Sequence, residues 1–152
     1  MVYVLCLAIG VLTGLRSMTT PAMTSWGANS GRIAVAGTPL AFLGTSITMW
    51  IFVFSAVSEL VADKLPKTPS RKRPLGVGAR IVAGALCGGA LAAAHGALVV
   101  GAALGVAGAV VGTLAGAGAR AALARKLGKD FPAALIEDVV ALVGSAAVVL
   151  AA

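Results

Sequence analysis

The chain carries only five carboxylates. Four of them, Glu59, Asp63, Glu137 and Asp138, fall at the ends of long apolar runs. On a helix Glu59 and Asp63 stand four apart and share a face, whereas Glu137 and Asp138 point about 100° apart. Ionisable groups in or near hydrocarbon are costly and face the protein interior, where partners or water exist. Arg16 and Arg80 are the cations at comparable positions inside apolar sequence. The economical arrangement is one polar cluster, in which Glu59, Asp63 and at least one of Glu137 and Asp138 are paired by Arg80. Arg16 joins it if the first apolar element dips back. Acids in such a cluster would bind a proton or a small cation, and its arginines would neutralise them or receive an anionic solute.

Two other uses of the same residues stay open. Acids one turn from a basic loop can salt-bridge its lysines and arginines at headgroup level, with Asp130 and Glu137 serving the N-terminal dipole of the last helix. Alternatively, Glu59 and Asp63 could hold Mg²⁺ against a lipid phosphate, with Arg71 to Arg73 on the phosphate. Nothing in the spacing of Ser, Thr and His sets a nucleophile beside its base, and His95 falls at the opposite membrane face from the acids. Catalysis is therefore the weaker expectation, no cofactor is expected, and no metal is assigned.

These residues need a scaffold, and composition defines its class. Of 152 residues, 59% are hydrophobic and 11% charged, against roughly 25% charged in a soluble domain. So few charges cannot cover a soluble surface, which leaves an all-α integral membrane protein of one domain. The net charge of +7 sits in two short clusters beside apolar spans, the pattern of topology signals facing anionic lipid, and nucleic acid is excluded as a partner. Cys6 and Cys87 lie inside apolar runs and read as buried thiols.

About five membrane segments follow, over residues 2–27, 39–62, 77–95, 97–118 and 132–152. The first is broken near Arg16 to Pro21. Its opening run has neither the basic start nor the small-residue cleavage site of a signal peptide. Thr19 and Thr20 suit the carbonyls that Pro21 frees, and the break could offer backbone groups to the polar site. Pro39 suits the first position of the second helix, and His95-Gly96 marks a hairpin.

Two basic loops, residues 64–76 and 120–131, flank that hairpin and so face one side. The positive-inside rule makes it the cytoplasmic face of a bacterial inner membrane, with the N-terminus inside if the first element crosses once. Lys64, Lys67, Arg71, Lys72 and Arg73 would contact lipid phosphates there. Gly84/Gly88, Gly101/Gly105 and Gly108/Gly112/Gly116 recur at a spacing of four, which lets helices approach closely. A homo-oligomer, most simply a dimer, is the expected assembly.

Three blocks, GLRSMTTPAMTSW (14–26), SELVADKLPKTPSR (58–71) and PAALIEDVVAL (132–142), resemble a bacterial family of small integral membrane proteins, the domain-of-unknown-function family numbered 4126. The resemblance implies a multi-pass inner-membrane protein and brings no mechanism. The family's recurrent blocks coincide with Arg16, Ser17, Pro21, Glu59, Asp63, Lys64, Pro66, Ser70, Arg71, Glu137 and Asp138. SELVAD (58–63) and ALIEDV (134–139) also echo each other, as repeats do in transporters, although their flanks align poorly. The favoured expectation is a small transporter or channel-like protein. A lipid-headgroup enzyme or binder, and an accessory membrane protein, are the alternatives.

Overall fold

Small residues decide how this chain packs. The computed structural model describes residues 1–63 and 74–152, and every regular element among them is helical. The helices are α1 (Val2–Leu15), α2 (Thr19–Asn29), α3 (Ser46–Ala62), α4 (Pro74–Ala93), α5 (Leu98–Leu127) and α6 (Asp130–Ala151), with a short 3₁₀ turn at Ala41–Gly44. The all-α class holds. Of the segments expected to cross a membrane, three are long and apolar enough: Gly76–Ala93 in α4, Leu98–Leu127 and Asp130–Ala151. α1 and α3 are apolar but shorter, at 14 and 17 residues.

α5 lies at the centre of the bundle, packed between α1 and α4 with α6 alongside. It meets α4 backbone to backbone. A side chain built at Gly105 would collide with the Gly84 carbonyl, and one at Gly101 with that of Gly88. On its other face Gly108 lies against Leu7 and Gly112 against Val11 of α1. The glycine stripes are therefore consumed inside the chain, where they allow helices to approach without an intervening side-chain layer. Cys6, Ile9, Cys87, Ala90 and Leu91 complete the interior. Large apolar side chains instead cover the outside, as on α3, where Ile47, Trp50, Ile51, Phe54, Val57 and Val61 are all exposed. That much uncovered hydrocarbon suits a lipid surround.

The first segment does not cross once. α1 ends at Leu15, Arg16 is extended (φ −137, ψ 116), and α2 turns back beside α1. Thr13 and Thr20 end up 2.7 Å apart, hydroxyl to hydroxyl. Gly27, at the far end of α2, packs on Val149 near the end of α6. Each later helix reverses again, so α1 through α6 alternate in direction. One end of the bundle gathers Arg16, the end of α3, the start of α4 and the α5–α6 turn. The other gathers Met1, residues 30–45 and the α4–α5 turn. The N-terminus therefore lies at the end opposite to the one that a single crossing would give.

Several boundaries move for local reasons. Pro39 sits in a turn, and Thr45 begins α3 instead, its hydroxyl accepting the Thr48 N–H at 3.3 Å. Residues 120–127 belong to α5 and not to a loop. Gly128, at φ 68, ends that helix in the left-handed conformation, and α6 starts at Asp130. The hairpin expected at His95-Gly96 is present, with Gly96 at φ 66.

Candidate functional site

Three residues, Arg16 to Met18, separate α1 from α2, and the extended backbone of Arg16 breaks the helix. That exposes the first N–H groups of α2, which have no partner within their own helix. Glu59, on α3, accepts the Ser17 N–H at 3.0 Å, the Ser17 hydroxyl at 2.8 Å and the Met18 N–H at 2.8 Å. A carboxylate at this position also faces the positive end of the α2 dipole. Glu59 thus works as a capping group supplied by another helix.

Arg16, 1% exposed, points from the same turn into the bundle. Its Nη2 lies 2.8 Å from Asp63 Oδ2 and also pairs with Asp138 Oδ1. Asp63 ends α3, and Asp138 projects from α6, so one guanidinium ties three elements together. The same Asp63 oxygen accepts Nη1 of Arg120, on α5, at 2.5 Å. Arg120 also grips Asp130 through both oxygens, at 2.9 and 2.6 Å, and approaches Glu137 at 3.5 Å. Such two-pronged guanidinium–carboxylate bonds are the strong, oriented kind. All five carboxylates of the chain therefore gather at one end of the bundle, four of them in a continuous chain of charge from Asp138 through Arg16, Asp63 and Arg120 to Asp130 and Glu137.

Of the residues expected to cluster, Asp63, Glu137, Asp138 and Arg16 lie in the charge network, Arg16 by the backward fold of α2, whereas Glu59 beside them binds the start of α2. Arg80 is buried at 6% exposure, and its Nη1 lies 3.5 Å from the Gly76 carbonyl. Arg120 is a second cation of this network, pairing with Asp63, Asp130 and Glu137. Sequence reasoning placed Arg120 in a basic loop and Asp130 at a helix dipole. A signal was there: Arg120 continues the series Gly108, Gly112, Gly116 by one more step of four, and so lies on the packed face of α5. Thr19, Thr20 and Pro21 are not the break; they form the first turn of α2, where the missing proline N–H costs no helical bond. Lys64, Lys67, Arg71, Lys72 and Arg73 lie outside the described residues.

Above the network a series of hydroxyls enters the bundle. Thr13, Thr20, Thr24, Ser25 and Ser145 are fully buried. Thr13 donates to the Ile9 carbonyl at 2.7 Å, and Ser145 to that of Ala141 at 2.5 Å. The Cys87 thiol faces Thr24, Thr20 and Thr13. The Thr19 and Thr24 hydroxyls have no hydrogen-bond partner among the described residues. No group of three or more His, Cys, Asp or Glu side chains is placed to hold a metal ion among those residues.

A sequence model of the family described as Domain of unknown function (DUF4126) matches residues 3–152. The chain belongs to this family. No curated protein and no solved structure matches it. The match runs through α1 to α6, so the family's sequence covers every element that builds the charge network.

Proposed function

We propose that this family member is a small transporter or channel-like protein of a bacterial inner membrane, moving protons or a small cation. Asp63 and Asp138 are the exchanging carboxylates, and Arg16 and Arg120 are the internal cations that hold them between passages. The observation carrying this reading is Arg16 itself: a buried guanidinium at the turn of a discontinuous helix pair, shared by acids from two other helices. Intramembrane ionisable groups of this sort mark ion pathways, and the ends of discontinuous helices carry ion sites in transporters. A proton or cation arriving at Asp63 weakens its hold on both arginines and loosens the end of α3. The hydroxyls of Thr13, Thr20 and Thr24 give a polar route inward from there. The basic residues near this end make it cytoplasmic by the positive-inside rule.

Purified protein in liposomes tests the proposal, with an entrapped dye selective for H⁺, Na⁺ or K⁺ according to the gradient imposed. Wild type dissipates an imposed proton, Na⁺ or K⁺ gradient faster than empty vesicles, and Asp63→Asn returns the rate to the empty-vesicle value. Wild-type rates equal to empty vesicles for all three ions would remove the transport reading.

One observation favours a second reading. Each carboxylate has a partner, as an accessory protein with a purely structural clasp would require. The lipid-phosphate enzyme draws less support, because Glu59 commits both oxygens to the start of α2 and is not open to a shared metal with Asp63. The flux measurement separates transport from the clasp.

A further inference from the structure

On the outer side of Arg120, α5 and α6 part and leave a groove of about 300 Å³. Its walls are apolar: Leu123 from α5, Ile136 and Val140 from α6. Ile136 and Val140 are about half exposed, at 46% and 49%. Lys126 lines the groove one and a half turns beyond Arg120, at the end of α5, and Arg125 and Lys129 are exposed at the same turn. The acid that lines it, Glu137, faces Arg120. The groove is therefore polarised along its length, cationic at the bundle end and hydrocarbon toward the middle.

We propose that this groove is a binding site for one anionic phospholipid. The phosphate sits against Lys126, within reach of the positive field of Arg125 and Lys129, and the upper part of one acyl chain lies along Leu123, Ile136 and Val140. The order of polarity in the groove is that of a phospholipid lying parallel to the helices, and its charge selects an anionic headgroup over a zwitterionic one. Basic pockets between helices are the usual places where such headgroups bind. The volume lies at the small end of ligand sites, which suits a headgroup edge and part of one chain and excludes a second lipid. The groove borders the charge network at Arg120 and Glu137, but lipid binding through Lys126 does not depend on transport.

Native mass spectrometry of the detergent-purified protein tests this, with phosphatidylglycerol and phosphatidylcholine of identical chains added in equal amount. Wild type retains one phosphatidylglycerol per chain in preference to phosphatidylcholine. Lys126→Gln lowers phosphatidylglycerol retention about fivefold, as expected for one surface cation, and leaves phosphatidylcholine unchanged. Lys126→Arg keeps the preference. Ala119→Trp, which fills the groove from its exposed wall, lowers retention of both lipids. Equal retention of the two lipids by wild type, or unchanged phosphatidylglycerol retention in Lys126→Gln, overturns the proposal. Lys126 is exposed, so its variants decide the matter even if the tryptophan variant does not fold.

Discussion

α5 passes through two regimes along its length. Over Gly101 to Gly112 it touches α4 and α1 through bare backbone. From Gly116 to Lys126 the neighbours separate, side chains fill the space, and the contacts become ionic. The first region is held by shape. Dispersion between closely packed helices is short-ranged, so any added atom must displace a helix. The second is held by charges whose desolvation is offset only while every partner is present. One helix therefore shows two opposite sensitivities: intolerance of addition in one half and of removal in the other.

Four substitutions sharpen or break that contrast, each read as unfolding free energy in detergent or bilayer. Arg16→Ala has the largest expected effect, a loss of about 3–5 kcal/mol, because Asp63 and Asp138 lose a counter-ion in a buried site. A loss under about 1 kcal/mol would mean that water already screens the network. Gly105→Ala comes next, destabilising by about 1–3 kcal/mol through collision with the Gly84 carbonyl. Glu59→Ala follows at about 1–2 kcal/mol, the range for losing a helix cap, and amide exchange at Ser17 and Met18 should quicken. Gly118→Ala is the contrasting control on the same helix. No atom lies within 4 Å of the new methyl, so helix propensity alone acts and stabilises by up to about 1 kcal/mol. If Gly105→Ala and Gly118→Ala behave alike, the backbone-to-backbone contact is not what holds α5.

The class of fold was legible because composition alone forbids a soluble surface. The end at which Glu59, Asp63, Glu137 and Asp138 meet was legible too, since each sits at the end of an apolar run. The backward fold of α1 onto α2 was not. Both halves are apolar, and nothing in residues 2–27 says whether the chain after Arg16 continues or returns. That choice is made by distant groups, Glu59 above all, which satisfies the N–H groups that a turn leaves bare. Arg120 was missed for a different reason. The cations after it, Arg125, Lys126 and Lys129, suggested a loop, although Gly128 is the residue that stops the helix. Counting in steps of four from Gly108 would have placed it correctly.

α3 remains the least embedded helix. It packs chiefly along α2 and the 3₁₀ turn. At one end Asn29 fastens the chain entering it by a bond to the Gly44 carbonyl at 2.9 Å, and at the other Asp63 holds the two arginines. In mechanical terms it is a lever roughly 25 Å long, pivoted where the chain is neutral and latched where it is charged. A swing of about 5° on such an arm moves its tip by ~2 Å, which is the step from a direct ion pair to one separated by a water molecule.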